Sequence, residues 1–129
     1  MPTVLVVDDE PAIRKALRQL FEQSGLDVRE AESGAAALEV MASEPEIAAI
    51  VSDYVMPGLN GIDFYDELVA RRPGLRRRVV FFTGVARQPT ISEALEQRGV
   101  PLIHKLDDLH IVLDAVRLAI LRGDAPGDG

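Results

Sequence analysis

Short apolar runs alternate with amphipathic segments along the chain. The first apolar run, 4–7, ends at two acidic residues, Asp8 and Asp9, and the third, 48–51, is followed closely by Asp53. Continuous apolar runs of about four to eight residues bounded by turn signals are typical of strands that are buried on both faces of a sheet. A strand buried in this way can carry a charge only at its end. The pattern therefore predicts buried strands whose carboxyl ends present acidic side chains.

The segments between these runs have their apolar residues at helical spacing. In segment 12–23, Ile13, Leu17, Leu20 and Phe21 share one face. Ser33 is predicted to cap the second helix, and Gly61 to open the third. The predicted strands are 4–7, 27–31, 48–51, 78–82 and 102–104, and the predicted helices are 12–23, 33–42, 61–72, 90–97 and 109–120.

Alternation of strands with helices predicts an α/β protein with a parallel sheet covered on both faces. Right-handed crossovers leave few topologies, and the flavodoxin-like doubly wound (βα)5 fold, with five strands in the order 2-1-3-4-5, is favoured. In that order strands 1 and 3 are neighbours. We expect one domain over residues 1–122, with 123–129 as a flexible tail or the start of a linker.

Composition narrows the class of protein. The chain has 129 residues, of which 47% are hydrophobic, and a mean hydropathy of +0.09, as expected for a compact domain. No apolar run approaches the ~18 residues of a membrane span, and no basic segment precedes an apolar one at the start. The absence of cysteine excludes disulfides, and a cytoplasmic location is expected. The net charge of −7 argues against nucleic acid as a partner.

The predicted topology brings Asp8, Asp9 and Asp53 to one edge of the sheet. Carboxylates this close must raise their pKa values or share a cation, and an all-oxygen ligand set suits Mg²⁺. Thr83 and Lys105 follow the fourth and fifth strands and reach the same edge. A carboxylate can take a phosphoryl group as a nucleophile, with a cation, a hydroxyl and an ammonium to offset the negative charge.

These features resemble the receiver domains of two-component signalling, over about residues 3–121. The matching residues are the double acid Asp8-Asp9, Asp53 within D-x-x-M-P-G-x-x-G, Thr83 followed by a small residue, and Lys105 after the fifth strand. The resemblance implies that Asp53 is the phosphoacceptor, that Thr83 binds the phosphoryl oxygen and that Lys105 pairs with it. It also implies a Mg²⁺ site in which Asp9 binds directly and Asp8 mainly through water, with Asp53 and the backbone carbonyl of Val55 as further ligands.

The same resemblance implies a signalling module rather than an enzyme, although it would assist its own phosphorylation and dephosphorylation. The expected phosphodonor is a histidine kinase or a histidine phosphotransfer protein. An output partner or a second copy would bind the face formed by helix 4, strand 5 and helix 5. The chain would be a stand-alone response regulator or a receiver from a hybrid kinase, with no contact to membrane or nucleic acid.

The chain departs from the family pattern after its fifth strand. Leu106 stands where receivers usually have proline after a cis bond, and Leu102 where an aromatic switch residue is common. We expect a trans Lys105–Leu106 bond, because a cis bond before a residue other than proline costs about 2.5–4 kcal/mol. Lys105 is then expected to reach the site only with phosphate bound.

Val55 and Val85, both apolar, are expected to exclude water and slow the loss of phosphate.

Two other classes of function are compatible with parts of this pattern. A pseudo-receiver would keep the fold and bind proteins without phosphate. A phosphatase-like enzyme would need a D-x-D pair after the first strand, where this chain has Asp8-Asp9-Glu10. A flavin-binding enzyme would need a hydroxyl- and glycine-rich phosphate loop there, which this sequence lacks. The arginines at 71–72 and 76–78 are interpreted as part of a solvated loop rather than as a docking patch. His104 and His110 lack a third ligand at metal-binding spacing and are interpreted as structural or exposed.

Overall fold

The computed structural model describes residues 2–56, 58–84 and 88–123. Strands and helices alternate along this part of the chain. The strands are β1 (Thr3–Val7), β2 (Asp27–Ala31), β3 (Ile47–Ser52), β4 (Val79–Thr83) and β5 (Leu102–His104). The helices are α1 (Pro11–Gln23), α2 (Gly34–Ser43), α3 (Gly61–Arg71), α4 (Pro89–Gln97) and α5 (Leu109–Gly123). A short 3-10 helix at Pro73–Leu75 is an addition to the predicted elements.

The five strands form one parallel sheet in the order β2-β1-β3-β4-β5, which confirms the predicted flavodoxin-like fold. Successive side chains of β1 point to opposite faces of the sheet and enter separate apolar clusters. Leu5 and Val7 pack in the cluster that includes α2 and α3, whereas Val4 and Val6 pack in the cluster that includes α1 and α5. Helices therefore cover both faces. The central strands β1 and β3 contain no charged residue, whereas the edge strand β2 carries Arg29 and Glu30.

Side-chain caps fix the starts of two helices, and they confirm the predicted Ser33 cap and the predicted start of the third helix at Gly61. The Ser33 hydroxyl accepts a hydrogen bond from the Ala36 N–H at 3.1 Å, which caps α2. The Asn60 side chain accepts one from the Asp63 N–H at 2.9 Å, which caps α3. Gly61 then lies directly against Tyr54, since a Cβ built at residue 61 would come within 2.6 Å of the tyrosine ring. A glycine is therefore required where the loop after β3 meets α3.

Two of the arginines interpreted as loop residues have structural contacts, so that interpretation is wrong for them. The Arg72 guanidinium donates to the carbonyls of Met41 and Glu44 at the end of α2. The Arg78 guanidinium donates to the Ala48 carbonyl at 3.1 Å. The last carbonyls of an α-helix have no hydrogen-bond partner within the helix. Arg72, at the C-terminus of the neighbouring α3, donates to them at the end of α2.

Candidate functional site

The ends of β1 and β3 bring the predicted acidic residues together. Val7 pairs with Ser52 in the parallel ladder, so the next residues, Asp8 and Asp53, leave the sheet side by side. The Asp53 N–H donates to the Val7 carbonyl at 2.9 Å and extends the ladder by one bond. Both residues are buried, with 2% of Asp8 and 6% of Asp53 exposed. The strand register therefore fixes two carboxylates in the same small space.

One oxygen of each buried carboxylate is held by the backbone that follows it. Oδ1 of Asp8 accepts a hydrogen bond from the Glu10 N–H at 2.9 Å, and Oδ1 of Asp53 accepts one from the Val55 N–H at 3.2 Å. Aspartate often bonds in this way to the backbone two residues further on. The two side chains are thus oriented by their own loops, and each keeps its Oδ2 for other partners.

Lys105 crosses from the end of β5 to these oxygens. Its Nζ lies 2.9 Å from Oδ2 of Asp53, 3.1 Å from Oδ2 of Asp8 and 3.2 Å from Oε1 of Glu10. Burial alone would lower the pKa of Lys105, but the hydrogen bonds and charges of Asp53 and Asp8 outweigh it and raise the pKa well above its usual range. Lys105 therefore remains an ammonium at any physiological pH.

The contacts of Lys105 correct one expectation from the sequence. The described residues contain no cis peptide bond, so the prediction of a trans bond before Leu106 is confirmed. The expectation that Lys105 reaches the site only with phosphate bound is wrong. The trans loop still directs its side chain to Asp53, because two buried carboxylates attract it from across the site.

Burial has the opposite effect on Asp8. Its pKa is raised, chiefly because burial disfavours the charged form, and the Glu10 N–H and Lys105 offset only part of that effect. With four carboxylates and one ammonium, the cluster formed by Asp8, Asp9, Glu10, Asp53 and Lys105 carries a formal charge of −4 + 1 = −3 when all are ionised. Such a cluster favours the binding of a cation.

The donor set fits Mg²⁺. One oxygen each from Asp8, Asp9, Glu10 and Asp53 lies within 4.8 Å of the others, and Asp9 and Glu10 are exposed to water. Magnesium prefers carboxylate oxygens and keeps several waters of its own, so a half-open cluster suits it better than a closed cage. The structure thus brings together the predicted ligands Asp8, Asp9 and Asp53.

The remaining predicted residues lie around this cluster. Thr83 is the last residue of β4 and is 1% exposed, and its carbonyl accepts the Lys105 N–H at 3.1 Å. Val55 lies two residues after Asp53 in the loop. Its N–H donates a hydrogen bond to the Asp53 carboxylate, and 55% of the residue is exposed. Val85, predicted to flank the water approach, lies outside the described residues, as do Pro57 of the motif and residues 124–129 of the predicted tail.

Sequence reasoning missed two residues of the site. Glu10 belongs to the oxygen cluster and contacts Lys105, and its position directly after Asp8-Asp9 was the available signal. Arg14 lies one turn into α1, and its guanidinium donates to the Asp8 carbonyl at 2.6 Å. No motif marks Arg14, because its role depends on how α1 packs beside β1.

Comparison with known families decides the class of this site. The family model for the response regulator receiver domain matches residues 4–117. The chain belongs to the response regulator receiver family. This family assignment confirms the resemblance drawn from the sequence motifs and places the protein among the domains of two-component systems.

Named relatives agree with this assignment. The transcriptional regulatory protein FixJ of Azorhizobium caulinodans is 35% identical over 125 residues, which are 96% of this chain and 57% of FixJ. The nitrate/nitrite response regulator protein NarP of Escherichia coli is 30% identical over 116 residues, which are 88% of this chain and 53% of NarP. This receiver thus spans about half the length of the curated relatives it matches.

Solved structures share the fold of this receiver. A response regulator receiver domain protein from Clostridium thermocellum superposes with a TM-score of 0.84 at 25% identity, covering 95% of this chain and 96% of that one. A sensor protein from Polaromonas sp. JS666 superposes with a TM-score of 0.83 at 26% identity, covering 95% and 98%. In the part of the chain that the structure describes, no helix is long and apolar enough to cross a membrane.

Proposed function

We propose that this receiver accepts a phosphoryl group on Asp53 from a phosphohistidine of a histidine kinase or a histidine phosphotransfer protein. The observation that carries the proposal is the position of the Asp53 carboxylate. It is buried at a strand end, lies within an oxygen cluster that fits Mg²⁺, and contacts the Lys105 ammonium at 2.9 Å. A nucleophile for phosphoryl transfer needs this combination of orientation and positive charge.

The chemistry follows from the groups around Asp53. A carboxylate oxygen of Asp53 attacks phosphorus, a new O–P bond forms, and the N–P bond to the donor imidazole breaks. The Val55 N–H holds the other carboxylate oxygen and limits rotation of the side chain. Lys105 offsets negative charge on the transferring group, and the Thr83 hydroxyl donates to one of its oxygens. Mg²⁺, held by Asp8, Asp9, Asp53 and the Val55 carbonyl, would offset the charge that otherwise repels a phosphate dianion.

Glu10 and Arg14 support this arrangement from the first loop. Arg14 donates to the Asp8 carbonyl and pairs with Glu30 at 3.2 Å, which anchors the start of the acidic loop to α1 and β2. Glu10 shares Lys105 with the two buried aspartates. In this proposal Lys105 exchanges some of its carboxylate contacts for the phosphoryl group once Asp53 is modified.

The signal would pass to a partner through a change of conformation, and the receiver would assist both gain and loss of phosphate. Ile111 and Leu118 of α5 are large apolar residues that remain exposed. We propose the face of α4, β5 and α5 as the contact for an output partner or a second copy. With a net charge of −7, this domain is not expected to bind nucleic acid or membrane itself, and the proposed location is cytoplasmic.

A pseudo-receiver that works without phosphate is not favoured. Such a protein would not need a buried carboxylate pair, whose charges are unfavourable for folding. Here Asp8 and Asp53 are both retained and are both paired with Lys105.

Intact mass after incubation with a small phosphodonor tests the proposal. The wild type should gain one phosphoryl group with Mg²⁺ and none with a chelator, and Asp53→Asn should gain none. Asp114→Asn, which changes an exposed carboxylate of α5, is the matched control and should label like the wild type. Equal labelling of the Asp53→Asn protein would overturn the proposal.

A further inference from the structure

The loop that carries Lys105 is a tight turn tied to the sheet. The Asp107 N–H donates to the His104 carbonyl at 2.9 Å, which closes a turn with Lys105 and Leu106 at its centre. The Lys105 N–H donates to the Thr83 carbonyl at 3.1 Å and joins this turn to β4. The direction in which Lys105 leaves the backbone therefore depends on the shape of a four-residue turn.

Side chains complete this turn from both ends. Nδ1 of His104 accepts a hydrogen bond from the Leu106 N–H at 3.0 Å. Oδ2 of Asp107 accepts one from the His104 N–H at 3.3 Å. The imidazole thus does what asparagine and aspartate often do, which is to bond the backbone two residues further on.

Apolar packing does not hold the centre of the turn. The Leu106 side chain is 83% exposed, so residue 106 is tied to the protein through its backbone. His104 is half-buried and is the last residue of β5, so the backbone that carries its ring belongs to the sheet. With its central side chain exposed, the turn depends on these hydrogen bonds, so the removal of one acceptor loosens it.

We propose that His104 is a positioning residue for Lys105. By accepting the Leu106 N–H, it fixes the turn that directs the Lys105 ammonium onto Asp53 and Asp8. This inference rests on the proposed function, since the ammonium acts there on the transferring phosphoryl group. His104 itself touches neither Asp53 nor the phosphoryl group in this account, and it acts only through the geometry of Lys105.

Two amide substitutions separate the hydrogen bond from the bulk of the ring. His104→Asn keeps an acceptor at the reach of Nδ1, whereas His104→Gln moves it one methylene further out. We expect His104→Gln to slow labelling by the small phosphodonor about three- to tenfold, the effect of one net hydrogen bond. His104→Asn, which keeps the acceptor, should label at close to the wild-type rate. His104→Phe is a second variant without an acceptor, and His110→Phe, on the exposed start of α5, is the matched control.

Two further measurements show whether the effect passes through Lys105. Hydrogen exchange of the Leu106 amide should be faster in His104→Gln and return towards the wild-type rate in His104→Asn. In a Lys105→Met background, His104→Gln should cause no further loss of labelling. A double-mutant cycle of unfolding free energies for His104 and Lys105 should give coupling that is absent between His110 and Lys105.

The outcomes separate this inference from the proposed function. If the wild type and His104→Gln label at the same rate, His104 does not position Lys105. The same conclusion holds if His104→Gln still slows labelling in the Lys105→Met background. If the wild type does not label at all, the proposed function fails. The unfolding cycle then still decides the inference, since an absence of coupling between His104 and Lys105 overturns it without any phosphodonor.

Discussion

Replacement of Lys105 by methionine tests the electrostatics of the site. The substitution keeps the length of the side chain and removes the only ammonium that contacts Asp8 and Asp53 among the described residues. Two buried carboxylates then face each other without a cation. We expect the protein to become less stable in chelator and to bind Mg²⁺ more tightly, since the cluster changes from a formal charge of −3 to −4.

The size of the stability loss follows from the burial of the pair. Removing one partner of a fully buried ion pair costs about 3–5 kcal/mol, and an exposed pair contributes about 0–1 kcal/mol. The Lys105 side chain is 15% exposed, between these limits, so we expect a loss of about 2 kcal/mol. For a domain of this size that lowers Tm by about 6–10 °C.

The gain in Mg²⁺ affinity has a similar origin. The Lys105 ammonium would repel a divalent cation bound to the same carboxylates, so Lys105→Met should bind Mg²⁺ roughly 5- to 30-fold more tightly at low salt. Because a ligand stabilises the state it binds, Mg²⁺ should recover much of the lost stability.

Urea unfolding and Mg²⁺ titration, each with and without added salt, measure both effects. Lys15→Met, on the exposed face of α1, is the control for loss of a lysine and should change neither. A loss below about 0.5 kcal/mol in chelator would be that of an ordinary surface substitution and would refute the stabilising role of the ion pairs. An unchanged Mg²⁺ affinity would refute the electrostatic coupling to the metal.

Three further predictions concern the carboxylate cluster and the residues of the loop that follows β3. Burial raises the pKa of Asp8 in the folded protein above the 3.8 of the unfolded chain. The folded protein therefore has its full stability below pH 3.8, where Asp8 is protonated in both states, and loses stability as the pH rises through the raised pKa. Asp8→Asn should therefore unfold at higher urea than the wild type at neutral pH and lose this advantage in acid; equal midpoints at neutral pH would contradict the argument. Gly61→Ala should destabilise the protein by about 1–3 kcal/mol, because the new Cβ meets Tyr54 at 2.6 Å, and Gly74→Ala, with open space around it, should not. Val55→Asn should speed the loss of phosphate in Mg²⁺, since an amide can orient the attacking water; an unchanged lifetime would show that Val55 does not set it.

The acidic part of the site could be predicted because strand ends determine it. Once β1 and β3 are neighbours, the register leaves no place for Asp8 and Asp53 except beside each other. Asp8 follows its apolar run directly and Asp53 follows one residue after its own, so a few neighbouring residues carry the necessary information. The α/β class follows from this short-range pattern, and the strand order follows from the pattern together with the right-handed crossovers.

The contacts of long side chains could not be predicted in the same way. Arg72 reaches carbonyls about thirty residues earlier in the chain, and Arg14 reaches the Asp8 carbonyl from the adjacent helix. Such contacts depend on how helices pack, which no local pattern records. The reach of Lys105 was misjudged because the peptide bond before Leu106 was considered alone, whereas two buried carboxylates also attract the ammonium.

Locating the phosphoryl group tests the central claim most directly. The wild type is incubated with the small phosphodonor and Mg²⁺, the acyl phosphate is reduced with borohydride, and the modified residue is found by peptide mass spectrometry. The account predicts one modified residue, Asp53, and no modification in chelator. Modification at any other carboxylate, or at Asp53 to the same extent without a divalent cation, would contradict it.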